Sequence, residues 1–167
     1  MLTRLRRLAA IMAATVIAAV GLVTPASAAA TPWTATFAAG DVCSFPLTVS
    51  GTGDSPKVYR EFKDRHGNVR VIFSAGKGQA LTYTNADTMK TFSTPANGAG
   101  SWTVYNRDGS QIIRLFGHNV VLLFPTDVDG PSAWLYSGLV VIKVDAAGVW
   151  KVVKQSGRKI NICARLT

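Results

Sequence analysis

The stretch from Ser101 to Pro125 reads SWTVYNRDGSQIIRLFGHNVVLLFP and decides the fold of the chain. In its first part Trp102 and Val104 alternate with their neighbours, as residues on the two faces of a β-strand do. Asp108-Gly109 then interrupts the run. This dipeptide is typical of a type I′ hairpin turn, because both central residues of that turn need positive φ. The sequence therefore predicts an antiparallel hairpin at this point.

The same stretch continues into a third strand. The chain returns through residues 111–116, breaks at Gly117 and leaves again through residues 119–124. Since residues 120–124 are apolar on both faces of a pleat, we expect a strand that is covered on each side. Three consecutive antiparallel strands are thus predicted at the centre of the protein.

Strand-like runs between turn residues recur along the rest of the chain. They are Val42–Ser50, Lys57–Lys63, Asn68–Ser74, Gln79–Thr84, Met89–Ser93, Ala133–Val144, Val149–Gln155 and Arg158–Arg165. Many short strands at a spacing of about 8–12 residues are typical of a barrel or a sandwich. We predict an all-β domain, an antiparallel meander closed or nearly closed into a barrel, with a two-sheet β-sandwich as the alternative.

The first 28 residues are typical of a secretory signal peptide. Three arginines precede an apolar run over residues 8–23, and Ala26-Ser27-Ala28 matches the small-x-small cleavage pattern. The apolar run is shorter than the roughly 20 residues that span a bilayer, which disfavours an uncleaved anchor. We predict cleavage after Ala28, secretion from the cell and no membrane span in the mature protein.

The predicted organisation is a signal peptide over residues 1–28, a short N-terminal segment over 29–36 and a single β domain over 37–167. The mature chain has 139 residues, enough to bury a core without a metal. Without Arg4, Arg6 and Arg7 it carries 15 basic and nine acidic residues, a net charge of +6.

The chain has two cysteines, Cys43 and Cys163. In an exported protein a pair of cysteines usually forms a disulfide, which we predict here, with two unrelated buried thiols as the alternative. Bridged Cα atoms lie about 5.5 Å apart, so the ends of the domain would meet, as in a meander that is close to a closed barrel. If the last strand stays regular, Cys163 lies on its polar side and the bridge lies at the rim or outside.

Four features together resemble a group of small secreted actinobacterial proteins. They are the leader ending in Ala-Ser-Ala, FAAGDVCSFPL over residues 37–47, GHNVVLLFPTDVDGP over 117–131 and INICARL over 160–166. The resemblance covers nearly the whole mature chain. It implies export, a paired cysteine and an all-β domain, but no assigned activity, so it transfers no functional residue.

The sequence predicts no catalytic residues. His66 lies in a predicted turn, and His118 lies at the start of the central strand, where a hydrogen-bonded structural histidine is expected. Glu61 is the only glutamate and most aspartates lie in turns, so no pair of carboxylates is positioned for glycoside hydrolysis. Neither a nucleophile elbow nor a free cysteine nucleophile is predicted.

No metal or cofactor is predicted either. Residues 126–130, TDVDG, share the Asp-x-Asp-Gly pattern of a calcium loop but lack its remaining ligands, so a plain turn is expected. Zinc would need more histidine and cysteine than the chain has outside the predicted disulfide.

Positive charge gathers in two parts of the sequence. The first group comprises Lys57, Arg60, Lys63, Arg65 and Arg70, diluted by Glu61 and Asp64. The second comprises Lys151, Lys154, Arg158, Lys159 and Arg165 and follows the last acidic residue. Its first four members are a candidate basic surface for polyanions. The alternative is a solvated face, or lysines that protect an edge strand from pairing. Regular alternation places Lys151 and Lys154 on opposite faces, which favours this alternative.

The predicted function is that of a secreted, non-catalytic binding or interaction protein, with a small apolar ligand or an extracellular protein as partner and no specific nucleic acid. Fifteen aromatic residues could line the cavity of a small-ligand barrel or simply fill it. The alternatives are an extracellular inhibitor or envelope-surface protein and, last, an unrecognised enzyme. An enclosed apolar cavity would favour the barrel, and a solid core with an exposed patch would favour the surface protein.

Overall fold

The computed structural model describes residues 32–52 and 58–167, so the predicted signal peptide lies outside the described residues. They form ten strands and one short helix. The strands are β1 (Trp33–Phe37), β2 (Leu47–Thr52), β3 (Val58–Lys63), β4 (Val69–Gly76), β5 (Ala80–Asn85), β6 (Thr91–Thr94), β7 (Ala99–Tyr105), β8 (Gln111–Leu123), β9 (Ser132–Val144) and β10 (Trp150–Asn161), and the helix is α1 (Ile162–Leu166). None of the described helices is long and apolar enough to cross a membrane.

The strands form two antiparallel sheets, so the all-β prediction is confirmed. One sheet has the order β1-β2-β5-β6 and the other β10-β9-β8-β7-β4-β3. The predicted barrel is wrong, because each sheet ends in edge strands and neither closes on itself. The arrangement agrees with the two-sheet alternative. The chain alternates between the sheets in pairs of strands before it completes the larger sheet with β7 to β10.

Several predicted strand boundaries are corrected by the structure. Gly117 does not end a strand, since β8 runs through it, and β10 likewise runs through Gly157. The N-terminal segment contributes β1, which pairs with β2 and was not predicted as a strand. The last strand ends at Asn161, whose side chain accepts a hydrogen bond from Ala164 N (3.0 Å) and caps α1.

The hairpin between β7 and β8 forms as predicted, with a different turn. Asn106 O accepts from Gly109 N (3.3 Å) and Ser110 O from Asn106 N (2.9 Å), and Gly109 has φ +85°. Asp108 is not in the positive-φ region, so this is a five-residue turn with a single left-handed glycine and not a type I′ turn. The turns Asp64–Asn68 and Asp145–Val149 repeat the same two hydrogen bonds.

The first core lies between the two sheets. It contains Leu47 and Val49 from β2, Tyr83 from β5, Ala133 from β9 and Leu166 from α1, all buried. Val120, Leu122 and Leu135 pack against it from the C-terminal half of β8 and the start of β9. One end of the large sheet is therefore covered by the small sheet.

The second core lies inside a curl of β8, β9 and β10. Val121 and Leu123 near the end of β8 cluster with Val140 and Ile142 of β9, together with residues from the start of β8. A straight strand of this length would span about 42 Å. The strands instead bend so far that Val128 N, just after β8, donates to the carbonyl oxygen of Trp150, which lies beside the beginning of β8 (2.9 Å). Asp127 Oδ1 accepts from Trp150 N (2.9 Å) in the same junction.

Glycines make the bend possible. Gly138 (φ +139°) and Gly157 (φ +95°) are directly paired across β9 and β10. A Cβ on Gly138 would overlap the carbonyl oxygen of Ser156, and a Cβ on Gly157 that of Ser137. Both the backbone conformation and the close approach therefore require residues without a side chain.

The predicted disulfide is confirmed. Cys43 and Cys163 are bridged with a Cα–Cα distance of 5.6 Å across 120 positions. Cys43 lies in the turn before β2 and Cys163 in α1, so the bridge joins a turn to a helix and not two strands. Cys43 is buried and Cys163 half-buried, because α1 folds back onto the first core and the regular last strand expected from the sequence is absent. The ends of the domain meet through packing of layers and not through closure of a barrel.

Candidate functional site: an open face on the larger sheet

Strands β3, β4 and β7 form a region that we call the wing. Every residue of β3 is exposed, and β4 and β7 are half-buried apart from the exposed Trp102. None of the residues in these three described strands belongs to either core. The wing is therefore a single layer of sheet that extends from the packed part of the molecule.

The wing has an apolar face, which we call the open face, defined by cross-strand rows of paired residues. Directly opposed residues of antiparallel strands share a face. The first row is Arg60, Phe73, Trp102, Arg114, Val141 and Lys154, the second is Phe62, Val71, Val104, Ile112, Lys143 and Lys151, and the third is Val58, Ala75, Gly100 and Phe116. The first two rows cross all six strands.

Aromatic side chains occupy the centre of the open face. Phe62 is 50% exposed, Phe116 42% and Trp102 36%, large fractions for such apolar groups. The Trp102 ring centroid lies 6.0 Å from those of Phe62 and Phe73, with interplanar angles of 32° and 57°. These tilted contacts join the rings into one continuous ridge.

Positive charge borders the aromatic ridge. Arg60 and Arg114 flank Phe73 and Trp102 in the first row, and three lysines continue the rows onto β9 and β10. Lys151 and Lys154 share this face because the register of β10 shifts between Val152 and Lys154. The prediction that they lie on opposite faces is wrong, since a β-bulge inserts one residue and reverses the alternation.

The other face of the wing is polar. Tyr59 Oη donates to Glu61 Oε1 (2.8 Å), which raises the pKa of Tyr59, and Lys63 Nζ lies 3.7 Å from Glu61 Oε2. Ser74 Oγ and Ser101 Oγ are 2.8 Å apart. Glu61 therefore lies away from the open face, and in the described residues no acidic side chain belongs to the three rows.

The five cations of the open face are not neutralised within the described chain. The only ion pairs in residues 32–52 and 58–167 are Lys63–Glu61 and Arg70–Asp64. Asp64 lies in the turn at the tip of the wing. Partial burial raises its pKa, but hydrogen bonds from Arg70, His66 N and Asn68 outweigh this effect and lower the pKa to about 2.

Two depressions lie at opposite ends of the open face. One, of about 440 Å³, lies between Phe73 and Phe116 over a floor of small residues that includes Ala75 and Gly100. The other, of about 370 Å³, lies where the second row reaches the β9–β10 turn and is lined by Ile112, Lys143 and Lys151. Asp145 also lines it, and its Oδ1 accepts hydrogen bonds from Ala147 N and Val149 N within the turn (both 2.9 Å). The ridge of rings borders the first depression through Phe73, and no ring lines the second.

The four residues of the predicted basic surface separate into two groups. Lys151 and Lys154 lie on the open face, before the glycine bend. Arg158 lies beyond the bend, paired with Ser137, and Lys159 Nζ lies 4.5 Å from the centre of the Trp134 ring on the other face, in a cation–π contact. The first basic group also divides. Arg60 is on the open face, whereas Lys63 and Arg70 are in ion pairs elsewhere. Lys57 lies outside the described residues.

A third cleft lies between the two sheets. It has a volume of about 270 Å³ and is lined by Trp33, Thr94, Asn97, His118 and Asn119 among others. Trp33 Nε1 donates to Gln79 Oε1 (2.6 Å), so the indole is held across the opening. The cleft is small, and two of its polar residues, His118 and Asn119, come from β8 in the middle of the larger sheet.

His66, His118 and Asp127 take part in hydrogen bonds of the fold, His118 through its backbone. His118 N donates to Gly98 O (3.0 Å), and His66 Nε2 accepts from Arg65 Nε (3.1 Å) in an exposed turn. Asp127 uses both carboxylate oxygens on backbone N–H groups, those of Phe124 (2.8 Å) and Trp150 (2.9 Å). Among the described residues no three His, Cys, Asp or Glu side chains gather as a metal site.

The open face itself was not predicted from the sequence. Its aromatic residues lie in strands whose alternation was recognised, and the same alternation is typical of a buried face. The signal that separates the two cases is arginine, since Arg60 and Arg114 interrupt otherwise apolar rows. That signal becomes visible only once the strand pairing is known.

Comparison with known proteins adds no relative. The chain matches no family model, no curated protein and no solved structure. The resemblance to small secreted proteins stays a prediction.

Proposed function

We propose that the protein is a secreted, non-catalytic binding protein that acts through its open face. The observation that carries this proposal is an apolar, aromatic sheet face without a covering layer among the described residues. A continuous exposed apolar face bordered by charge is typical of interaction sites. Secretion rests on the leader sequence, and the disulfide is compatible with it.

Side-chain packing favours this surface function over the small-ligand barrel. The first core is filled by side chains such as Leu47, Tyr83 and Leu166, and the second by Val140, Ile142 and Leu123, all 2% exposed or less. The two depressions of the open face are open and lie on the surface. A solid interior with an exposed patch is the arrangement expected of a surface-acting protein.

The test is native mass spectrometry of the protein recovered at low salt from its own culture medium. We expect additional bound mass on the wild type that is lost in the double variant Phe62→Ser, Trp102→Ser, with the fold checked by circular dichroism. Tyr59→Ser, on the polar face, is the matched control and should retain the mass. Equal retention by the double variant would overturn the proposal.

A second candidate is a small ligand in the cleft between the sheets. Its support is the orientation of Trp33, whose indole is held by Gln79 at the opening. In the same experiment this function predicts a bound mass of small-molecule size that Trp33→Ala removes and the open-face variant keeps. The two candidates therefore give opposite results with the same two proteins.

A further inference from the structure

We infer that the open face binds an acidic polysaccharide, a linear glycan whose sugar units carry carboxylate groups; this inference rests on the open-face function proposed above. The charge of the open face supports this ligand class. Five cations lie in the cross-strand rows, and the described residues contribute no carboxylate to them. A ligand that covers this face has to bring negative charge.

The same charges argue against a second copy of the chain as the occupant. Face-to-face pairing would bring Arg60, Arg114 and the three lysines of one copy against those of the other. Like charges in contact are unfavourable, and here no acidic partner in the rows compensates for them.

The arrangement of the cations fits a linear polymer. Neighbouring strands lie about 4.8 Å apart, so Arg60 and Arg114 are roughly 14 Å apart along the first row, and Lys154 follows roughly 10 Å further on. A chain lying across the strands would therefore meet positive charge at both ends and near the middle. The aromatic residues lie between the charges and not in a separate cluster.

The apolar part of the face fits sugar rings. The face of an aromatic ring carries partial negative charge and attracts the C–H groups on the flat side of a pyranose. The depression between Phe73 and Phe116 is shallow and has a floor of glycine and alanine, so a ring can approach the backbone there. A polymer lying along the first row would border this depression at Phe73 and pass over Trp102 towards Lys154.

Other polyanions and acidic partners fit less well. Nucleobases stack on parallel, separated rings, whereas these rings contact one another at tilted angles. A flat bilayer touches little of a twisted sheet, and the wing tip is the polar turn Asp64–Asn68. Protein interfaces are depleted of lysine, whereas three of the five cations of the open face are the lysines Lys143, Lys151 and Lys154.

The experiment measures binding of the secreted protein to polygalacturonate by isothermal titration calorimetry. The methyl ester of the same polymer, which keeps the backbone but lacks the charge, is the reference ligand. We expect polygalacturonate to bind at least about tenfold more tightly than the ester. Between about 50 mM and about 200 mM salt the affinity should fall by up to roughly a hundredfold, as for a polymer held by five cations.

Two pairs of variants locate the site. Arg60→Gln with Arg114→Gln should weaken binding about tenfold or more, whereas Lys63→Gln with Arg158→Gln removes the same charge elsewhere and should change the affinity by no more than about twofold. Phe62→Ser, at an exposed position of β3, should weaken binding with the fold intact, and Tyr59→Ser should not. Because Phe62→Ser leaves Trp102 in place, it tests the open face even if replacing Trp102 disturbs the packing of the wing.

Three outcomes would overturn the inference: equal affinity for the ester, equal loss in both charge pairs, or tighter binding to an oligo(dT) strand or to phosphatidylglycerol vesicles. If one of these occurs while the open-face variant still loses its bound mass in the medium, the partner class is wrong and the proposed function stands. If that variant keeps its bound mass, the proposed function fails as well.

Discussion

Ile142 on β9 is fully buried, whereas Phe62 on β3 is half-exposed, although both are apolar residues on alternating strands of the same sheet. The difference lies in what faces them. Around Ile142 strands β8, β9 and β10 curl, and their inward-facing side chains fill the second core. The small sheet covers the other face of the larger sheet nearby and encloses the first core. The wing lies outside both layers. We call the remainder of the described fold, with its two cores, the body.

The comparison shows that side-chain alternation sets which residues share a face but not whether that face is covered. In the body, covered apolar faces contribute most of the stability. In the wing, the same kind of face is open and combined with arginine and lysine, which a buried face excludes. Four predictions test this division, from the largest expected effect to the smallest.

The largest expected effect is on the free energy of unfolding and comes from the disulfide, which links two segments of the body. Replacing both Cys43 and Cys163 by alanine should lower the free energy of unfolding by up to about 5 kcal/mol, because the unfolded chain regains the freedom of a loop of 120 positions. Urea denaturation would measure the loss. The reduced wild type is the control and should match the double variant. An unchanged unfolding midpoint would contradict the importance of the bridge.

The second prediction compares the two regions directly. Ile142→Ala should lower the free energy of unfolding by about 2–5 kcal/mol, since it opens a cavity in a filled core. Phe62→Ala removes a larger side chain from the wing and should cost no more than about 0.5 kcal/mol. Equal losses, measured by denaturation of both variants at one temperature, would mean that the wing is part of the cooperative core.

The third prediction concerns the bend that closes the second core. Gly138→Ala should destabilise the protein by about 1–3 kcal/mol, because the backbone has positive φ and the new Cβ meets the Ser156 carbonyl oxygen. Gly98→Ala is the matched control, since its Cβ would point into open space and its φ is ordinary. Thermal unfolding of the two variants should separate them clearly. Equal melting temperatures would show that the curl tolerates a side chain at position 138.

The smallest effect is confined to the tip of the wing. The pKa of Asp64 is lowered to about 2, below its unfolded value of about 3.9, so the stabilisation it contributes is present above pH 4 and is lost as the pH falls towards 2. The protection factors of amides in β3 and β4, taken relative to the intrinsic exchange rate at each pH, should fall over this range, while those of β9 amides stay unchanged. Asp64→Asn should remove the pH dependence. A similar loss of protection at β9 amides would contradict an effect of Asp64 that is confined to the tip of the wing.

Much of the fold could be predicted from local patterns. Alternation located β4, β5 and β7 to within a few residues, and the two cysteines indicated the bridge before any contact was known. Gly117 and Gly157 were misread as strand ends. A glycine with positive φ usually marks the end of a strand. Here Gly117 and Gly157 have positive φ inside β8 and β10, because the curl of the sheet bends these strands without ending them.

The site depends on information that no local pattern carries. Phe62, Trp102 and Arg114 lie far apart in the sequence and share a face only through the pairing of β3, β4, β7 and β8. Lys151 and Lys154 share it only because of a bulge. Whether a layer covers that face is decided by the path of the whole chain. The alternation in β3 therefore predicted its pleat and not its exposure.

The position of the disulfide has a mechanical consequence. The bridge joins the turn before β2 to the last helix, so nearly all of the described fold lies between Cys43 and Cys163. If the protein is pulled by its two termini, tension passes from one cysteine to the other through the covalent link. β1 can peel from the edge of its sheet, but the sheets between the cysteines carry no load. The wing would thus keep its shape under shear that stretches an unbridged domain.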